Sequence, residues 1–121
     1  MLKEETQMEL IKSTENLTPA QIYNMTKAND IRKMSDAEGE ILDIMNYVLY
    51  KDLDKDSQPM TVLAVETVEG VRYATNSATF IRNFTDIRTL HESMGVEAPT
   101  RYKVGSGVSK NGRKYFCCDI A

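Results

Sequence analysis

The sequence predicts a mainly β domain with helices. The expected form is a five-stranded barrel with a helix between its third and fourth strands and a short helix ahead of the first. Three observations carry this reading. From Ile41 onward, apolar and polar residues form strand-like runs separated by short polar turns. Phe80, Ile81, Phe84, Ile87, Leu90 and Met94 then recur at three and four residues, as on one face of a helix. Asn111-Gly112, between two further strand-like runs, marks a tight hairpin whose central residues are expected at positive φ.

Residues 1–17 are polar, mixed in charge and without sustained period, and are expected to form a partly mobile arm. Residues 18–121 are expected to be one domain with one core. Thr18 can cap a helix, Pro19 fits its first position, and Gln21 sits where a capping-box partner belongs. That helix carries Ile22, Met25 and Ala28; Asn29-Asp30 ends it and Gly39 marks the exit. Ile41 to Tyr50 reads as the first barrel strand, with Leu42, Ile44 and Val48 on one face and Met45, Tyr47 and Leu49 on the other. Apolar groups on both faces imply cover on both sides. The polar loop Asp52 to Gln58 leads through Pro59 into a second strand, Met60 to Val68. Glu69-Gly70 turns the chain into a third, Val71 to Thr75. Ser77 or Thr79 caps the long helix and Gly95 ends it. After Pro99, the hairpin's first strand puts Tyr102, Val104 and Val108 on one face and Arg101, Lys103 and Gly105 on the other. Its second strand splits Lys114, Phe116, Cys118 and Ile120 from Arg113, Tyr115 and Cys117. Three meandering strands, a helix and a hairpin follow the order of the OB-fold, with a half-open α+β sheet as the alternative.

Composition narrows the function classes. Hydrophobic residues make up 41% and charged residues 27% of 121, ordinary for a globular chain. No run approaches a membrane span and no signal-peptide centre is present, so a cytoplasmic, membrane-free protein is expected. Cys117 and Cys118, adjacent on a strand, should point to opposite faces and serve as reduced packing thiols. Asp52-Leu53-Asp54-Lys55-Asp56 opens like a calcium loop, but Ser57 and Leu63 stand where glycine and glutamate are needed. His91 is the single histidine, no nucleophile elbow occurs, and Gly105-Ser106-Gly107 is too short for a dinucleotide fingerprint. We expect no enzyme, no metal and no cofactor.

The net charge of −3 is unevenly spread: residues 1–60 carry −5 and residues 61–121 carry +2. Arg101, Lys103, Lys110, Arg113 and Lys114 lie between Thr100 and Phe116 with no acid among them. Cations meet phosphates and aromatic rings stack on bases, so this hairpin suits a single-stranded nucleic acid. Tyr47, Tyr73, Tyr102 and Tyr115 are the stacking candidates, because a phenol tolerates a wet edge, and Tyr47, Tyr73 and Tyr115 are the expected stacking residues. Arg72, Arg101, Lys103, Lys110, Arg113 and Lys114 are the expected phosphate contacts. Phe80, Phe84 and Phe116 are expected in the core. Lys51 to Gln58 and Ser109 to Gly112 would be the loops that rim the groove.

The segments TPAQIYNMTKANDIRKMSD, YVLYKD, ATNSATFIRNFTDI and GSGVSKNGRKYFCCDIA resemble the small single-stranded DNA-binding proteins of phages that infect Gram-positive bacteria. The resemblance runs along residues 18–121 and is most specific at Thr75 to Ile81 and Ser109 to Arg113. It implies an OB-like barrel that coats single-stranded DNA with little sequence preference during phage replication. The chain ends inside a strand without the acidic tail of bacterial relatives, so recruitment of replication enzymes through such a tail is not expected. Two other readings stay open. One is a phage protein that binds and modulates a host protein through the acid-rich Asp30 to Asp56 segment; the other is single-stranded RNA binding. An exposed strand edge would allow homo-oligomers.

Overall fold

The computed structural model describes residues 8–121, and the first seven residues of the expected arm lie outside it. The elements are β1 (Glu9–Ser13), α1 (Pro19–Thr26), β2 (Arg32–Lys33), a 3₁₀ turn (Met34–Ala37), β3 (Ile41–Leu53), β4 (Pro59–Thr67), β5 (Arg72–Thr75), α2 (Ala78–Ser93), β6 (Arg101–Val108) and β7 (Lys114–Ile120). The structure is mainly β with two helices and seven strands, where five strands were expected. The two extra strands precede the meander. β1 lacks alternation and β2 has two residues, so neither carries a period that sequence can reveal.

One curled sheet runs in the order β2-β5-β4-β3-β6-β7, with β1 also on β3. β3 organises it. From Ile44 to Leu53 it pairs with β4; on its other edge Ile41–Asp43 pair with β6 and Val48–Lys51 with β1. Every pairing is antiparallel except β2 with β5. The chain between Arg32 and Glu40 crosses from one side of the curl to the other. Its start pairs with β5, and at its end Gly39 N–H donates to Val104 O (2.7 Å) while Glu40 O accepts from Val104 N–H (3.0 Å). Met34 and Ala37 on this crossing are buried at 1% and 0% exposure.

The faces of β3 differ from the simple alternation. Ile44 pairs with Thr67 and Asn46 with Glu66, so Met45 is an extra residue in a β-bulge. An inserted residue reverses the side-chain sense beyond it. Leu42 and Ile44 therefore share the inner core with Tyr47 and Leu49, while Val48 and Tyr50 join an outer core. The inner core also holds Leu63, Val65, Tyr73, Phe80, Phe84, Tyr102 and Val104. The outer core takes Met25 of α1 with Val62 and Ala64 of β4.

Local signals were followed at the helix starts. Gln21 N–H donates to Thr18 Oγ1 (3.1 Å) and Thr18 N–H to Gln21 Oε1 (2.8 Å), a complete capping box. α1 stops at Thr26, short of Asn29-Asp30. Ser77 Oγ caps α2 by accepting from Phe80 N–H at 3.3 Å. The terminal hairpin departs from the expected turn. Gly112 sits at φ +78, but Asn111 has no positive φ, and Ser109 N–H donates to Arg113 O at 2.8 Å. The loop is thus three residues ending in a left-handed glycine.

Candidate nucleic-acid interface

The β6–β7 hairpin separates its side chains as the alternation requires. The register pairs Lys103 with Asp119, Gly105 with Cys117 and Gly107 with Tyr115 on the outer face. Val104 with Cys118 and Ser106 with Phe116 lie on the inner one. Arg101 and Lys103 project from the outer face and Lys110 and Arg113 from the tip, all exposed. None of these four has an ion-pair partner among the described residues. Carboxylates are nonetheless close in register, since Asp43 stands across from Arg101 and Asp119 across from Lys103. The tip holds the least compensated positive charge.

Tyr115 is 40% exposed and its phenol end lies over Gly107, where a Cβ would come within 2.5 Å of the Tyr115 Oη. Gly107 therefore makes the seat for the ring. Lys114, on the other face, is held by Glu38. Its Nζ donates to Glu38 Oε1 at 2.9 Å and lies 5.3 Å from the Phe116 ring centroid, while Ser106 Oγ donates to Glu38 Oε2 at 2.6 Å. The Ser106 hydroxyl, then the Lys114 ammonium, hold the Glu38 carboxyl below its usual range.

Three expected contacts lie elsewhere. Tyr47 is 5% exposed, packed edge-on against Phe84 at 5.3 Å with the Arg88 guanidinium 4.6 Å from its ring centroid. Tyr73 is 6% exposed, opposite Val65 on the inner side of β5. Neither ring has the open face that base stacking needs. The Met45 bulge is the reason for Tyr47, because it turns the residue inward. Arg72 is engaged twice, donating to Glu66 Oε2 at 3.0 Å and Asp30 Oδ2 at 3.4 Å. Tyr102, the fourth stacking candidate, is fully buried.

In their place the outer face of β4 and β5 carries an open groove of about 390 Å³. Its apolar floor is Tyr50, Met60, Val62, Ala74 and Phe116, and Lys33 and Asn76 stand on its rim. Phe116, expected wholly in the core, packs against the inner core and also lines this groove. The signal that would have found Tyr50 is the bulge, which a sequence does not print. Burial, with the nearby Asp52 carboxylate, pushes the Tyr50 phenol up.

Four of the eight carboxylates of the acid-rich segment are engaged within the chain. Asp30 meets Arg72, Glu38 meets Lys114, and Asp52 accepts from Lys27 and from Leu53 N–H. Asp54 Oδ1 accepts from Asp56 N–H (2.8 Å) and Gln58 N–H (3.0 Å), closing its own loop. Among the described residues no group of three or more His, Cys, Asp or Glu side chains is placed to hold a metal ion. Burial, then Asp119, pushes the Cys118 thiol up to about 12, which keeps it protonated at neutral pH. Among the described residues no helix is long and apolar enough to cross a membrane.

The exposed cations of the hairpin thus lie beside a groove that Phe116 of the same hairpin helps to line. No protein-family model, curated protein or solved structure matches the chain.

Proposed function

We propose that this protein binds single-stranded DNA without catalysis and with little sequence preference, as in phage DNA replication. The observation that carries the reading is the placement of Arg101, Lys103, Lys110 and Arg113, four exposed cations with no ion-pair partner among the described residues, on one hairpin with exposed Tyr115. The hairpin's other face reaches the β4–β5 groove through Phe116. Phosphates would lie on the cations and on Lys33, and bases on Tyr115 and against Phe116 in the groove. Stacking on aromatic faces is tolerant of sequence because every base has a π-face.

Support for an OB-like barrel comes from connectivity. β3, β4, β5, α2, β6 and β7 follow in the order of that fold, and β3 pairs with both β4 and β6. In such barrels the face of the second and third strands binds oligonucleotides, and here the groove lies on β4 and β5. The alternative reading, a modulator of a host protein, would use the same acid-rich segment, of whose eight carboxylates Asp30, Glu38 and Asp52 are paired within the chain.

Titration of a fluorescein-labelled oligodeoxynucleotide at low and moderate salt tests the function. Saturable binding that weakens with salt is expected. No binding at low salt overturns it. Competition with matched RNA assigns the sugar: displacement by RNA at equal concentration replaces DNA with RNA as the ligand.

A further inference from the structure

β1 leaves an edge of the sheet open. It pairs with β3 alone, and among the described residues no strand takes its outer edge. Glu9, Leu10, Ile11 and Lys12 are all exposed, Leu10 at 50% and Ile11 at 47%. Such an apolar edge is a template for another strand. The register says which strand fits. Glu9 stands opposite Lys51, Leu10 opposite Tyr50 and Lys12 opposite Leu49, so Ile11 is an extra, bulged residue. Lys51 and Leu49 share one face of β3 and Tyr50 occupies the other. Glu9 and Lys12 therefore project from the same face of β1. In an unbulged strand they would point to opposite faces.

That arrangement is complementary to itself. A two-fold axis between Leu10 and Ile11 sets Glu9 of each copy against Lys12 of the other, and Leu10 against Ile11. Lys12 is available for this exchange, because its internal bond to Glu92 Oε1 (3.2 Å) is an exposed pair of little worth. Beside the edge lies an apolar groove of about 460 Å³, lined by Met8, Leu10, Pro19, Ile22, Tyr23 and Lys27 among others. Tyr23 on its rim is 63% exposed. The Lys27 charge is met by Asp52 of the same chain, so bringing two grooves together opposes no bare like charges.

We propose that β1 is a self-recognition edge through which two copies of this chain pair, antiparallel, about a two-fold axis. The groove beside β1 then receives apolar side chains from the partner copy. The proposal stands apart from DNA binding and is tested without nucleic acid.

The experiment is sedimentation equilibrium of the full chain over a concentration series, on wild type, Glu9→Lys, Lys12→Glu and the double reversal, each with a thermal melt to establish folding. Wild type should reach twice the chain mass. Each single reversal sets like charges against each other at both ends and should weaken dimerisation by about tenfold or more. The double reversal should restore it, although the internal Glu92 pair stays lost. A monomer at every concentration overturns the proposal. So does a dimer indifferent to the single reversals, or a double reversal no stronger than they are.

Discussion

Under the proposed function Tyr115 and Glu38 should act on the hairpin's affinity with opposite signs. Tyr115 keeps its position because Gly107 offers no side chain beneath it. Tyr115→Ala should lower affinity for single-stranded DNA by about 1–3 kcal/mol with an unchanged melting temperature. Gly107→Ala should lower affinity by part of that loss, since the added methyl evicts the ring without touching a cation. Full affinity in Tyr115→Ala would remove the residue from the interface. Glu38 acts the other way, by restraining Lys114. Glu38→Gln should free that ammonium, raise affinity and steepen the salt dependence by about 0.7 in log–log slope, one phosphate's share. The same carboxylate gives a pH signature. Its folded pKa lies below the ordinary 4.5, so its stabilising effect is present above that value and is lost as pH falls through the depressed one. The gap in melting temperature between wild type and Glu38→Gln should therefore narrow as pH falls through the depressed value, and a gap that does not narrow in acid would contradict the assignment.

At the scale of elements, the crossing from Arg32 to Glu40 bears weight that its sequence hides. Met34 is 1% exposed within the inner core. Met34→Ala should cost about 2–5 kcal/mol in chemical denaturation, against a fraction of that for an exposed methionine such as Met45. An equal cost at the two sites would mean that the crossing is not seated in the core. This stretch was illegible because a 3₁₀ turn and a two-residue strand fall below any hydrophobic period. The capping box, the α2 stripe and the hairpin faces were legible, because each is fixed within a few residues. The Met45 bulge was not. One unpaired residue reversed the faces of β3 beyond it, moving Tyr47 into the core and Tyr50 to the outer side. The exposure of Arg101, Lys103, Lys110 and Arg113 was legible, since charged side chains stay at the surface whatever the register. The engagement of Arg72 was not, because its acid partners come from distant Asp30 and from Glu66.

For the whole molecule the proposed function requires a chain of net charge −3 to attract a polyanion. Asp30, Glu38 and Asp52 are each paired with a cation of the chain, and Lys110 and Arg113, with no ion-pair partner among the described residues, stand together at the tip of one hairpin. A local patch can steer a charged ligand even when the total opposes it. The tip is where this claim is most exposed to test, since Lys110 and Arg113 lie outside the core and outside every ion pair found among the described residues. The decisive measurement is the log–log salt dependence of single-stranded DNA affinity for wild type and for Lys110→Ala/Arg113→Ala. The double variant should fold normally, bind more weakly, and lose about 1.4 from the magnitude of the slope, two phosphates at about 0.7 each. A slope identical to wild type would show that the hairpin tip touches no phosphate and would contradict the proposed interface.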